Sequence, residues 1–230
     1  MEIKKKIIVC GDSFCSSHNN ERDHFSQLLE DEYGYLVVNL ARGGIGNINI
    51  CFQIQTAIRL SADCVIYRRT SSARIEIPVS DKPFDPVLGL KNFMYPCKDE
   101  STYGSPHVGG MDAPFFSYQL ARLASTDPKE LALQDELVNL SSARREAVRM
   151  YMTYMYDEQL KQTTDNWAYA YWESKLSQNN VMAIDFNTVG QVAYDFVAQT
   201  NGQYPKCYHT DRTTQETIAN NIHEKILKWK

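Results

Sequence analysis

Between residues 6 and 68 short apolar runs alternate with amphipathic stretches, and this alternation limits the possible folds more than any other feature of the chain. Residues 6–11 are a β-branched run that ends in glycine, the pattern of a buried strand. Residues 21–33 carry Phe25, Leu28, Leu29 and Tyr33 at helical spacing, and Gly34 stands where a helix would stop. Residues 35–40 read as a second strand, and 41–46 as a Gly-rich turn. Asn47 is suited to cap a helix that runs to about Leu60, with Ile48, Cys51, Phe52, Gln55 and Ile58 along one face. Residues 63–68 read as a third strand. The order β-α-β-α-β predicts an α/β fold: a parallel sheet with helices on both faces.

The rhythm breaks at 78–135, which holds seven of the eight prolines, four glycines and many aromatics. Asp127-Pro128-Lys129-Glu130 within it has the form of a helix start. The stretch reads as a long mid-chain insertion packed over one end of the sheet. From Leu137 the spacing is helical again, with Leu140, Ala143, Ala147, Val148, Tyr151, Met152 and Met155 on one face. A polar break at 161–165 precedes Trp167, Tyr171 and Leu176, and Asn179-Asn180 ends the pattern. Residues 181–186 predict a fourth strand, 189–198 a short helix, and 217–229 a closing helix with Ile218, Ile222, Ile226 and Leu227. The 230 residues, 43% hydrophobic and without internal repeats, predict one domain over 1–230 that needs no disulfide or structural metal.

A net charge of −4 argues against a nucleic-acid or anionic-membrane partner. No run reaches membrane-spanning length, and the apolar stretch behind the basic N-terminus stops at Gly11-Asp12, too early for a signal peptide. The six cysteines (10, 15, 51, 64, 97 and 207) have no metal-ligand spacing. The expectation is a reducing, cytoplasmic protein with no cofactor and no metal. His18, His24 and His107 read as surface residues or caps.

Three segments carry residue types suited to chemistry. Gly11-Asp12-Ser13 directly follows the first strand, where a strand–turn–helix junction exposes a hydroxyl at the C-terminal edge of the sheet. A helix N-terminus beside it would supply N–H groups to an oxyanion. The bland alternative is that Asp12 or Ser13 only caps a helix. Ala41-Arg42-Gly43-Gly44-Ile45-Gly46-Asn47 follows the second strand, and its glycines allow close backbone approach to a ligand. Its place and spacing do not fit a dinucleotide fingerprint. His209, in the loop before the last helix, is the usual type of base for a Ser nucleophile.

Taken together, these segments resemble the SGNH (GDSL) hydrolase family. The tail His209-Thr210-Asp211-Arg212-Thr213-Thr214-Gln215-Glu216-Thr217-Ile218-Ala219 keeps the His and the Ile-Ala of that family's C-terminal block. The likeness covers roughly 6–76 and 181–228. It implies a three-layer α/β/α sandwich around a central parallel sheet. It also implies Ser13 as nucleophile, His209 as general base, and the N–H groups of Ser13 and of Gly43 or Gly44 in the oxyanion hole, with Asn47 beside them.

Two positions depart from the family pattern. The Gly-x-Asn-Asp block after the third strand is replaced by residues 67–76, where Thr70, Ser72 or Arg74 stand in for the missing Asn. Lys206 occupies the place of the triad Asp; Asp211 is close in the sequence and Asp185 ends the fourth strand, but neither stands at the family position. The resemblance implies hydrolysis of small acyl esters, such as O-acetyl groups on carbohydrate. The alternative is a catalytically impaired SGNH-like module that binds a ligand or partner, for example in a phage particle.

Overall fold

The computed structural model describes residues 4–17, 23–42, 45–72, 74–78, 115–119, 150–151, 154–193, 195 and 210–229. Their elements are β1 (Lys6–Cys10), α1 (Phe25–Asp31), β2 (Leu36–Asn39), α2 (Asn47–Arg59), β3 (Cys64–Tyr67), β4 (Arg74–Pro78), β5 (Phe115–Gln119), α3 (Glu158–Gln178), β6 (Met182–Asp185) and α4 (Arg212–Lys228). A 3-10 turn, Phe186–Thr188, follows β6.

The main sheet has four parallel strands in the order β2-β1-β3-β6. In register, Ile8 lies beside Val38 of β2 and Val65 of β3, and Val65 lies beside Ala183 of β6. The two central strands explain why their sequences are unbroken apolar runs. Ile7, Ile8, Val9 and Cys10 have no exposed surface, because a parallel sheet is covered on both faces. Alternate residues serve opposite sides. Ile7 and Val9 pack with Phe25, Leu28 and Leu29 of α1 and Ile218, Ile222 and Ile226 of α4. Ile8 and Cys10 pack with Ile50 and Ile54 of α2 and Tyr169 and Leu176 of α3. Each such aliphatic side chain contributes about 1.5–3 kcal/mol by leaving water.

The helices depart from expectation where polar side chains set their ends. The closing helix starts at Arg212 rather than near 217, because the Asp211 carboxylate accepts from the Thr214 N–H at 2.9 Å. Asn47 does not cap α2. Gly46 holds the N-cap position, and Asn47 is the first helical residue with its side chain engaged elsewhere. The polar stretch 161–165 is no break: α3 passes through it, with Lys161 and Asp165 paired at one-turn spacing. His24 caps α1, as one of its two readings had it, but with no exposed surface.

Part of 78–135 is visible as β5, which pairs antiparallel with β4 in a separate two-stranded sheet, Ile77 opposite Phe116. The expected helix start at Asp127 and most of the helical stretch from Leu137 lie outside the described residues. Of the expected helix at 189–198, residues 191–193 and 195 are helical. Among the described residues no helix is long and apolar enough to cross a membrane.

Two glycines with positive φ separate conformation from space. Gly34 (φ 72°) has nothing near a Cβ, so Gly34→Ala meets only backbone strain, about 1 kcal/mol. At Gly11 (φ 152°) an added Cβ would lie 3.0 Å from Cys15 Cβ and Sγ and 3.1 Å from Arg68 Cβ. Gly11→Ala is therefore expected to lower stability by roughly 2–3 kcal/mol more. Urea denaturation of the two variants checks the ranking; an equal loss would contradict the packing at Gly11.

Candidate active site

β2 lies on one side of β1 and β3 on the other, so the chain leaves the C-terminal ends of β1 and β3 in opposite senses. A crevice opens at such a switch point in α/β sheets. Gly11-Asp12-Ser13 and Arg68-Arg69-Thr70 are the segments that flank it.

No helix starts at Ser13, contrary to the expected strand–turn–helix junction; α1 begins only at Phe25. A single turn takes its place. The Asp12 carbonyl accepts from the N–H groups of Cys15 and Ser16, both at 3.0 Å. Asp12 Oδ1 accepts from the Phe14 N–H at 3.2 Å. The Ser13 N–H has no acceptor among the described residues. The turn is tied to its surroundings. Gln53 Oε1 accepts from the Gly11 N–H at 2.7 Å, Asn39 Nδ2 donates to the Cys15 carbonyl at 2.8 Å, and the Arg42 N–H donates to the Gly11 carbonyl at 3.0 Å.

Asp12 has no exposed surface. Its Oδ2 pairs with Arg68 Nη1 and accepts from Thr70 Oγ1 at 2.9 Å. The Arg68 guanidinium lies over the Phe14 ring, 4.3 Å from its centre. Thr70 is held at both ends, since its N–H donates to Asn47 Oδ1 at 2.9 Å. Asn47 is in turn saturated. Its Nδ2 donates to the Thr70 carbonyl and to Asp165 Oδ2, and its Oδ1 also accepts from Tyr169 Oη. Asn47 and Thr70 thus have their donors committed inside the protein and act as pins rather than as open oxyanion donors.

Beyond Thr70 lies a cleft of about 310 Å³, lined by Asn47, Arg69, Thr70, Ser72, Asp165 and Tyr169 among others. Asp165 Oδ1 takes Lys161 Nζ at 2.5 Å, and its Oδ2 also accepts from Ser72 Oγ at 2.9 Å. Arg69, also on the lining, pairs with Glu173, which accepts from Tyr67 Oη at 2.5 Å. Neither Asp165 nor Glu173 was singled out from the sequence. The available signal was phase: Asp165, Tyr169 and Leu176 share the buried side of α3, so a carboxylate there needs a partner.

The other expected residues fall as follows. Asp211 is used as the cap of α4. Asp185 ends β6 and accepts from the Asn187 N–H at 2.9 Å. Arg74 opens β4 opposite Gln119; its side chain, Gly43, Gly44, Lys206 and His209 lie outside the described residues. Thr210, which follows His209 in the chain, is buried. Its hydroxyl accepts from Gln215 Nε2 at 2.6 Å, and Gln215 Oε1 accepts from the Phe25 N–H at 2.8 Å. The start of α4 is therefore fastened to the start of α1.

Burial pushes the Cys10 and Cys15 thiols well above the ordinary cysteine range, and for Cys15 the Asp12 charge adds to the effect. Both stay protonated beside Ser13, which disfavours a thiolate nucleophile or ligand there. Among the described residues no group of three or more His, Cys, Asp or Glu converges as a metal site. Compared with family models, curated proteins and solved structures, the chain matches none.

Three tyrosines report on this edge. Burial raises Tyr67, where the hydrogen bond to Glu173 adds to it, and burial also raises Tyr169. Tyr156, whose hydroxyl donates to the Ser72 carbonyl at 2.7 Å, is pushed up to about 12 by burial. Each folded value lies above the unfolded one of about 10. Their stabilising contribution is whole below that pH and is lost as pH rises through the folded values. Tyrosinate absorbance near 295 nm (a general phenolate marker) should rise in two stages, the later one together with loss of helical circular dichroism. A single titration near pH 10 without unfolding would contradict the burial of these hydroxyls.

Proposed function

We propose that the chain is a serine-dependent ester hydrolase of the SGNH type. Its fold on this reading is a three-layer α/β/α sandwich, one domain over 1–230, with an insertion at about 78–135. Ser13 Oγ attacks the acyl carbonyl carbon while His209 takes the hydroxyl proton. The oxyanion of the tetrahedral intermediate is held by the N–H of Ser13 and that of Gly43 or Gly44. The intermediate collapses, the leaving alcohol receives the proton from His209, and an acyl-Ser13 ester remains. Water, deprotonated by His209, then attacks that ester; the second tetrahedral intermediate collapses, Ser13 Oγ takes the proton back from His209, and the acid is released.

The observation that carries this reading is the turn after β1. It stands at the switch-point crevice, and the Ser13 N–H there has no acceptor among the described residues. Two further contacts support it. The Arg42 N–H bonds the Gly11 carbonyl, which brings the residue before Gly43-Gly44 against the Ser13 turn. Thr210, next to His209, is fastened to the start of α1, on the edge where β1 ends. The substrates on this reading are small acyl esters, including O-acetyl groups on carbohydrate.

Hydrolysis of p-nitrophenyl acetate by the wild type, Ser13→Ala and His209→Ala tests it. The expected result is turnover by the wild type and a loss of about three orders of magnitude, or to background, in both variants. A serine-directed phosphonate should label Ser13. No turnover together with no label would remove the hydrolase reading and leave a binding cleft.

A further inference from the structure

The hydrogen bonds at this edge form one continuous path across four distant parts of the chain. It starts at Asp165 in the middle of α3. Asp165 Oδ2 accepts from Asn47 Nδ2 at 2.8 Å. Asn47 Oδ1 accepts from the Thr70 N–H at 2.9 Å, and its Nδ2 also donates to the Thr70 carbonyl at 3.1 Å. Thr70 Oγ1 donates to Asp12 Oδ2 at 2.9 Å. Asp12 closes the path, since its carbonyl and Oδ1 hold the N–H groups of Cys15, Ser16 and Phe14. Asp165, Asn47 and Asp12 are 3%, 2% and 0% exposed.

We propose that Asp165 is a positioning residue for the Ser13 turn, acting through Asn47, Thr70 and Asp12. This rests on the proposed hydrolase reading for its effect on rate, but not for its effect on the turn itself.

The geometry makes the path directional. Asn47 spends both N–H groups and both lone pairs, so its amide has one orientation. That orientation is set by Asp165, which only accepts, and by Tyr169, whose hydroxyl donates to Asn47 Oδ1. Thr70 is gripped by Asn47 at its N–H and carbonyl, which leaves its hydroxyl aimed at Asp12. Asp12 then has one oxygen for Thr70 and Arg68 and the other for its own turn. A change at Asp165 therefore reaches the Ser13 N–H without any contact between the two residues. Asp165 also lines the cleft, so a ligand that bonds it would act on the same turn.

Two substitutions break the path at separate links. Thr70→Val keeps the N–H bond to Asn47 and removes the hydroxyl from Asp12. Asp165→Asn keeps the shape and replaces an obligate acceptor with a mixed amide. Amide hydrogen exchange by NMR reads the turn whether or not Ser13 reacts. Phe14, Cys15 and Ser16 should exchange about fivefold faster or more in both variants, with Ile218 and Ile222 of α4 unchanged. In the hydrolase assay kcat and the rate of phosphonate labelling should fall about tenfold, with KM within about twofold. The double variant should be no worse than the worse single variant, since both cut one path. Unchanged turn amides, turn and α4 amides accelerated in equal proportion, or additive losses would each overturn the proposal. A wild type that is neither labelled nor active would instead remove the hydrolase reading, with the exchange data still deciding the coupling.

Discussion

A carboxylate with no exposed surface, that of Asp12, sets the terms for the C-terminal edge of the sheet. Burying such a charge costs several kcal/mol unless it is paired and hydrogen-bonded. The Arg68 guanidinium, the Thr70 hydroxyl and the Phe14 N–H contribute to the compensation. Two of them belong to the segment after β3, so the ends of β1 and β3 must close on one another. That closeness bears on Gly11, because Cys15 and Arg68 would have to shift by a few tenths of an ångström to admit a Cβ there. It also explains Gln53, which reaches from α2 to take the Gly11 N–H. Removing one partner of a buried pair such as Asp12–Arg68 typically costs about 3–5 kcal/mol, more than a typical apolar contact at this edge.

A second buried carboxylate, Asp165, stands at the far end of the same network. A buried polar network is favourable only when every member is satisfied, and Asn47 meets that condition with four bonds to three residues. α2 and α3 supply members of this network through Asn47 and Asp165; α1 and α4 are joined separately, through the bond of Gln215 to Phe25. Only the last of these leads toward the chain segment that carries His209.

What was legible in the sequence was what burial writes along the chain. β1, β2 and β3 lie where apolar runs predict strands, and the runs are buried throughout only in the central β1 and β3; α2 lies where a helix is predicted, but its core face is Ile50, Cys51, Ile54 and Ala57, while Ile48, Phe52, Gln55 and Ile58 of the expected face are only partly buried. Element ends were less legible. The start of α4 depends on Asp211 and lies before the first buried isoleucine. Asn47 has the residue type of a cap and the position of one, yet it serves Thr70 and Asp165 instead. The stretch 161–165 looked like a break because its polarity was read against its neighbours. Its meaning lies with a residue 118 positions away.

The sequence alone thus carried the parallel α/β order, the inward residues of its strands, and a Gly-Asp-Ser segment at the end of the first strand. Hydrophobic burial is non-directional and leaves a period that can be read from adjacent residues. It did not carry the pairing of Asp12 with Arg68 and Thr70, the saturation of Asn47, or the use of Asp165. Hydrogen bonds are directional and each needs one particular partner at about 3 Å. Only the crossing of the chain over the sheet brings residues 12, 47, 70 and 165 to that distance.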